Sequence, residues 1–166
     1  MKELKELVVV LGKCTGCMRC ELACSYKHFG IFDPAFSAVH VVRFDHEPLD
    51  SPTFCLQCGL CIPACPNKAI SRDPNTFAVV VNRTSCDGCG KCLFVCPIGA
   101  ITLDPKEHKA VKCDLCGGDP ECVKVCPEGA IKFVDVSEVP EYRREQYAKL
   151  QIKFAVPLVP YPRISR

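Results

Sequence analysis

Apolar residues come along this chain in short bursts, each cut off by a charge, a proline or a glycine. Ala38 to Phe44, Phe77 to Val81 and Lys109 to Lys112 read as short strands. Three hexapeptides repeat one plan: Cys65-Pro66-Asn67-Lys68-Ala69-Ile70, Cys96-Pro97-Ile98-Gly99-Ala100-Ile101 and Cys126-Pro127-Glu128-Gly129-Ala130-Ile131. Each is expected to end a short helix carrying its cysteine, turn through Pro and Gly or Asn, and enter a strand. Residues 140 to 150 are charged and helix-prone, with Pro140 suited to the first helical position. Ile152 to Arg166 is apolar again, but Pro157, Pro160 and Pro162 exclude a helix or central strand there. The pattern predicts an α+β chain of short hairpins and helices.

The first apolar burst, Leu7 to Leu11, follows a charged start and is too short for the core of a signal peptide. No apolar stretch approaches membrane-spanning length, so no membrane insertion is expected. A cytoplasmic location follows as the expectation, where thiols stay reduced.

Composition sharpens this. The 48% hydrophobic share counts sixteen cysteines; without them it falls to roughly 39%, below the usual apolar share. Fourteen prolines, ten glycines and no tryptophan suit a loop-rich chain wrapped around cofactors, with folding coupled to their insertion.

The cysteines form four groups of four. Cys14, Cys17, Cys20 and Cys24 are followed by Cys55, Cys58, Cys61 and Cys65, then by Cys86, Cys89, Cys92 and Cys96. Cys113, Cys116, Cys122 and Cys126 carry a longer middle gap. A disulfide framework needs an oxidising compartment, and zinc sites prefer two separated C-x2-C pairs. Spacing of C-x2-C-x2-C-x3-C, with proline after Cys65, Cys96 and Cys126, is instead the bacterial ferredoxin run, whose fourth cysteine ligates the other cluster. Sixteen ligands fill four [4Fe–4S] clusters with none left over. At about −2 per ligated cluster, the formal +2 becomes about −6, and no basic stripe with interleaved aromatics advertises nucleic acid.

Groups two and three match each other and read as one two-cluster ferredoxin, about residues 50–104. Groups one and four deviate: Ser25 follows Cys24, and Gly117-Gly118-Asp119-Pro120 lengthens the fourth. Symmetry favours a nested arrangement within residues 1–134, with 8–49 and 105–134 forming an outer pair. The swapped fourth cysteine then joins Cys55, Cys58 and Cys61 to Cys96, and Cys86, Cys89 and Cys92 to Cys65. In the outer pair it joins Cys14, Cys17 and Cys20 to Cys126, and Cys113, Cys116 and Cys122 to Cys24. Consecutive pairing, one with two and three with four, stays open. Residues 135–166 form a helix and a proline-rich arm, which either packs back or lies on a partner through Phe154, Val156, Leu158, Val159 and Tyr161.

Lys13, Arg19, Lys91, Lys112 and Lys124 flank ligands, where a cation would raise a cluster's potential; ordinary surface charge is the competing reading. His28, His40, His46 and His108 are expected to be structural or superficial. With every cysteine used, no open coordination position is left, and no phosphate loop, dinucleotide fingerprint or acid–base constellation is present. The chain is therefore read as non-catalytic.

The run Cys14-Thr15-Gly16-Cys17-Met18-Arg19-Cys20-Glu21-Leu22-Ala23-Cys24-Ser25-Tyr26-Lys27-His28 resembles small four-cluster ferredoxin subunits of tungsten enzyme complexes. These belong to the aldehyde:ferredoxin oxidoreductase and class II benzoyl-CoA reductase family. Phe29 to Pro34 and Lys112 to Pro120 support the likeness, which covers residues 8 to about 134. The wider superfamily includes iron–sulfur subunits of molybdopterin enzymes such as formate dehydrogenase. The resemblance implies the nested pairing and a large tungsten- or molybdenum-pterin catalytic subunit as partner. It also implies a flavin subunit or soluble ferredoxin as the other. A free polyferredoxin carrier, or a subunit of a formate dehydrogenase or hydrogenase-type complex, is the alternative.

Overall fold

Residues 4–43 and 50–154 are described in the computed structural model, and every strand among them lies in a two-stranded antiparallel sheet. β1 (Lys5–Val9) pairs with β8 (Ile131–Asp135), from Lys5 opposite Asp135 to Val9 opposite Ile131. Three local hairpins lie between them. β2 (Val39–Val42) pairs with β3 (Ser51–Phe54), β4 (Ile70–Arg72) with β5 (Val79–Val81), and β6 (Thr102–Leu103) with β7 (Ala110–Val111). Pro52 is tolerated in β3 because a two-stranded sheet leaves each strand an open edge.

Helices α1 (Arg19–Phe29), α2 (Cys61–Ala64), α3 (Lys91–Val95) and α4 (Glu121–Lys124) each begin within a cysteine group. α1 packs on α4, and α2 on α3. β3 and β6, which bracket groups two and three, bond to β2 and β7 and not to one another. The inner unit thus shares a hairpin with the outer one on each side.

One expectation needs correcting. Cys65 and Cys96 stand at the ends of α2 and α3 in extended backbone, with ψ of 111° and 112°, not inside the helices. The proline that follows each cysteine dictates this, because its ring excludes helical backbone from the residue before it. No proline follows Cys24, so α1 continues to Gly30, whose φ of 71° turns its N–H onto the Tyr26 carbonyl at 2.9 Å.

The core is built of small aliphatics interleaved with cysteines. Leu7, Cys24, Val39, Cys55, Leu115 and Ile131 belong to one buried cluster, and Cys61, Ile70, Cys92 and Ile101 to another. α5 (Val139–Phe154) starts one residue before Pro140 and is fastened through Val139, buried with Val8 and Val134. Tyr142 packs on that cluster, and Arg143 pairs with Glu6 at 3.5 Å. The proline-rich arm from Val156 onward, the side chain of Phe154, and residues Phe44 and His46 lie outside the described residues.

Candidate metal centres

The repeated hexapeptide points an amide at sulfur. Its backbone turns left-handed at Lys68 (φ 50°), Gly99 (φ 63°) and Gly129 (φ 60°). The next N–H then folds back on the cysteine that opened the turn. Ala69, Ala100 and Ala130 donate to Sγ of Cys65, Cys96 and Cys126 at 3.3, 3.2 and 3.2 Å. These alanines and the isoleucines after them are buried, which pins the turn.

Cys24 lacks the hexapeptide yet receives the same bond, from Ala38 N at 3.4 Å. Val39, buried like the three isoleucines, follows it. Residues 25–37 replace the short turn with a detour held by Ser25. The Ser25 hydroxyl donates to the Leu22 carbonyl at 3.0 Å and accepts the Asp33 N–H at 3.2 Å. Asp33 in turn accepts the Ala35 N–H at 2.9 Å and caps the turn Pro34–Phe36. The Ala38-Val39 pair was the one trace of this equivalence in the sequence.

The folded chain gathers the cysteines across groups. Cys14, Cys17, Cys20 and Cys126 line one cavity together with Lys13 and Arg19. Another is lined by Cys65, Cys86, Cys89 and Cys92 with Lys91. Cys24 lies within electrostatic reach of Cys113, Cys116 and Cys122. Cys55 and Cys58 stand in the same relation to Cys61, while Cys96 packs against the clusters that hold Cys55 and Cys61. Further amides reach sulfur in these loops: Gln57 N to Cys55 at 3.4 Å and Ala110 N to Cys86 at 3.5 Å.

The sets also stand in an order. The first group adjoins the fourth where α1 packs on α4, and the second adjoins the third where α2 packs on α3. Between them, Gln57 of the second loop donates through Nε2 to the Cys113 carbonyl at 3.0 Å. The succession is first, fourth, second, third.

All sixteen thiols are free. Burial, with Glu21 next to it, pushes Cys20 up to about 12, and burial alone does most of the same for Cys113, also about 12. Burial and then the neighbouring thiols Cys113 and Cys116 push Cys122 up as well. Without a metal such thiols keep their protons, and a metal that binds them takes the proton's place. Four converging sulfurs, with amides aimed at them, are a donor set suited to an iron–sulfur cluster.

Of the flanking cations, Lys13, Arg19 and Lys91 line cysteine cavities, whereas Lys124 is engaged by Asp119 and by Glu121 at 3.0 Å. Lys112 is buried. His28 is exposed, and its Nε2 lies 3.6 Å from Cys116 Sγ and 3.5 Å from Asp114. His40 sits in β2 with its Nε2 buried and without a partner among the described residues. His108 lies in the β6–β7 loop at φ 56°.

The 4Fe–4S dicluster domain families match residues 13–69 and 51–103, and a 4Fe–4S binding domain family matches residues 113–130. The polyferredoxin-like subunit of the aliphatic sulfonate oxidoreductase of Pyrococcus furiosus is 40% identical over 122 residues, covering 70% of this chain and 69% of that protein. The electron transport protein HydN of Escherichia coli is 33% identical over 86 residues, 46% of this chain and 48% of that protein. A chain of the benzoyl-coenzyme A reductase active-site complex BamBC with benzoyl-CoA superposes at a TM-score of 0.46 and 24% identity, covering 88% of this chain and 89% of that chain. Among the described residues no helix is long and apolar enough to cross a membrane.

Proposed function

This chain belongs to the polyferredoxin-like iron–sulfur electron-transfer subunits of oxidoreductases, and we propose that it holds four [4Fe–4S] clusters in a row. Cys14, Cys17, Cys20 and Cys126 would hold the first, and Cys113, Cys116, Cys122 and Cys24 the next. Cys55, Cys58, Cys61 and Cys96 would hold the third, and Cys86, Cys89, Cys92 and Cys65 the last. Each cluster, when bound, accepts and returns one electron at a time. Residues 1–134 form the four-cluster unit, in which groups two and three are nested between one and four.

The observation that carries this reading is the crossing over of the fourth cysteines. Cys126 lines the cavity of the first group and Cys65 that of the third, and α1 packs on α4. The chain's own work is to position sulfur and protect it. Left-handed turns aim amides at Cys65, Cys96 and Cys126, and such bonds stabilise negative charge on ligand sulfur and set its potential. Short loops and a shared hairpin on either side keep the sets adjacent.

The partner reading is of a large tungsten- or molybdenum-pterin catalytic subunit at one end of the row and a soluble redox protein or flavin subunit at the other. The name of the Pyrococcus relative, a subunit of an oxidoreductase, supports a catalytic partner, and the resemblance of residues 14–28 supports the pterin class. Iron and sulfide analysis of the anaerobically purified native complex tests both halves. About sixteen irons per chain and a co-purifying metal-pterin subunit are expected. An iron count near twelve removes one cluster from the reading, and a chain that always isolates alone makes it a free carrier.

A further inference from the structure

Lys112 is the only buried cation among the described residues, 7% exposed. Its Nζ donates to the Cys113 carbonyl at 2.7 Å and to the Val79 carbonyl, and lies 3.5 Å from Gln57 Oε1. Three acceptors satisfy the three N–H groups of an ammonium. All three are neutral, and among the described residues no carboxylate forms an ion pair with it. A buried charge with only neutral partners is costly, and an apolar side chain of similar length would pack there without that cost. The lysine's charge must therefore answer another charge.

The charge it answers is that of ligated sulfur, because the groups that hold Nζ belong to two cysteine loops. The Cys113 carbonyl is the fourth group's, and Gln57, whose own N–H reaches Cys55 Sγ at 3.4 Å, lies in the second. The second and fourth are the two sets that meet where the inner unit joins the outer. The contacts on either side of the seam are the same ones that hold Nζ: Val79 from β5, Gln57 from the second loop and Cys113 from the fourth.

We infer that Lys112 is a fixed counter-charge shared by the two middle clusters, holding them at higher potential than the two at the ends. The inference rests on the ligand reading given above. A cation favours the cluster state that carries one more electron, more strongly in a dry interior than in water. The clusters that the second and fourth groups would hold, whose loops bond Nζ, would gain most, and the other two would gain less. An electron entering from either end then settles across the seam between the two ferredoxin units.

Stepwise reduction of the holoprotein under electron paramagnetic resonance tests this in the wild type, Lys112→Met and Lys112→Gln. The middle clusters are recognised by the signals that change in Cys61→Ser and Cys113→Ser proteins. In both lysine variants the reduced-to-oxidised ratio of the two middle clusters at a set potential should fall at least tenfold, about 59 mV for a one-electron couple. The end clusters should move less. Gln keeps amide donors for the carbonyls and removes only the charge, so a shift in Met that is absent in Gln overturns the inference. Four retained clusters with unmoved potentials also overturn it, and leave the ligand reading intact. Fewer than four clusters in the wild type overturns the ligand reading and this inference with it. Should neither variant keep four clusters, the wild-type order decides: the middle pair must be reduced first, and any other order refutes the inference.

Discussion

Gln57 and Cys113, fifty-six positions apart in sequence, are joined by a side-chain amide donating to a buried backbone carbonyl at 3.0 Å. The other end of the same amide, Oε1, accepts the Val79 N–H at 2.8 Å. Gln57 therefore ties the second cysteine loop to the fourth and to β5, and it adopts φ of 54° to do so. Gln57→Ala takes the side-chain acceptor from the buried Val79 N–H and leaves the Cys113 carbonyl with Lys112 as its remaining donor, a cost of about 1–3 kcal/mol. Guanidinium unfolding of the holoprotein, followed by visible absorption and by circular dichroism, should show the midpoint falling on both probes. A loss under about 0.5 kcal/mol would mean that the bridge does not hold the two units together.

The hexapeptide turns differ at their left-handed position. Lys68 occupies the left-handed site that glycine fills at 99 and 129, and a side chain there strains the backbone by roughly 1–2 kcal/mol. Lys68→Gly should raise stability by about 0.5–1 kcal/mol after glycine's greater chain entropy is counted. The reverse change, Gly99→Ala, meets no atom within 4 Å and should lose only about 1 kcal/mol, from backbone strain alone. Thermal bleaching midpoints of the two variants should move in opposite directions.

Gly88 is a different case. A methyl group there would lie 2.4 Å from the His108 carbonyl oxygen, which is backbone and cannot step aside. Gly88→Ala should push the third cysteine loop off the β6–β7 hairpin and cost about 2–3 kcal/mol. If the chain holds four clusters as proposed, iron content should fall by roughly a quarter. Full iron retention together with unchanged stability counts against this packing.

Asp104 is 1% exposed and links the β6–β7 loop to Arg83, which donates to it at 2.9 Å. Burial would raise its carboxyl, but the Glu107 amide, Arg83 and the Lys109 amide outweigh that and hold it below the usual carboxylate range. A group depressed in the folded state adds stability that is present above its unfolded value, about 3.9, and lost as pH falls through the folded one. Asp104→Asn should be about 1.5–3 kcal/mol less stable at pH 7. Its stability should also decline less steeply than the wild type's below about pH 4. Acid titrations of unfolding for the two proteins make the comparison.

Removing the metal should unfold much of the chain. Burial pushes Cys14, Cys24, Cys61, Cys92 and Cys116 up, as it does Cys20 and Cys113. The stripped thiols therefore keep their protons, and the small aliphatic core has no scaffold around which to pack. Anaerobic chelation followed by circular dichroism should show loss of ordered structure, and rebuilding the clusters should restore it with release of protons. Native spectra without iron would show that the aliphatic core folds by itself.

Several features were legible because they depend on local chemistry. A spacing of two, two and three residues places cysteines on a tight loop and the first turn of a helix wherever it occurs, and proline after Cys65 and Cys96 ends those helices. The short strands at 79–81 and 110–111 could be read from β-prone runs. The partnership of β1 with β8 could not, since each strand is an ordinary apolar run and nothing local tells Val9 that Ile131 lies opposite. Ala38 as the donor to Cys24 was hidden for the same reason: the detour through Ser25 and Asp33 has no repeat to announce it.

Cysteine number, spacing and grouping are written into the sequence by itself, because sulfur chemistry and loop geometry act over a few residues. Which loops face each other was decided only by the tertiary structure. That choice depends on burying α1 against α4 and β1 against β8, contacts between segments far apart in the chain. It brought Gln57 to Cys113 and placed the Lys112 ammonium, one of several cations flanking cysteines in the sequence, between the second and fourth groups.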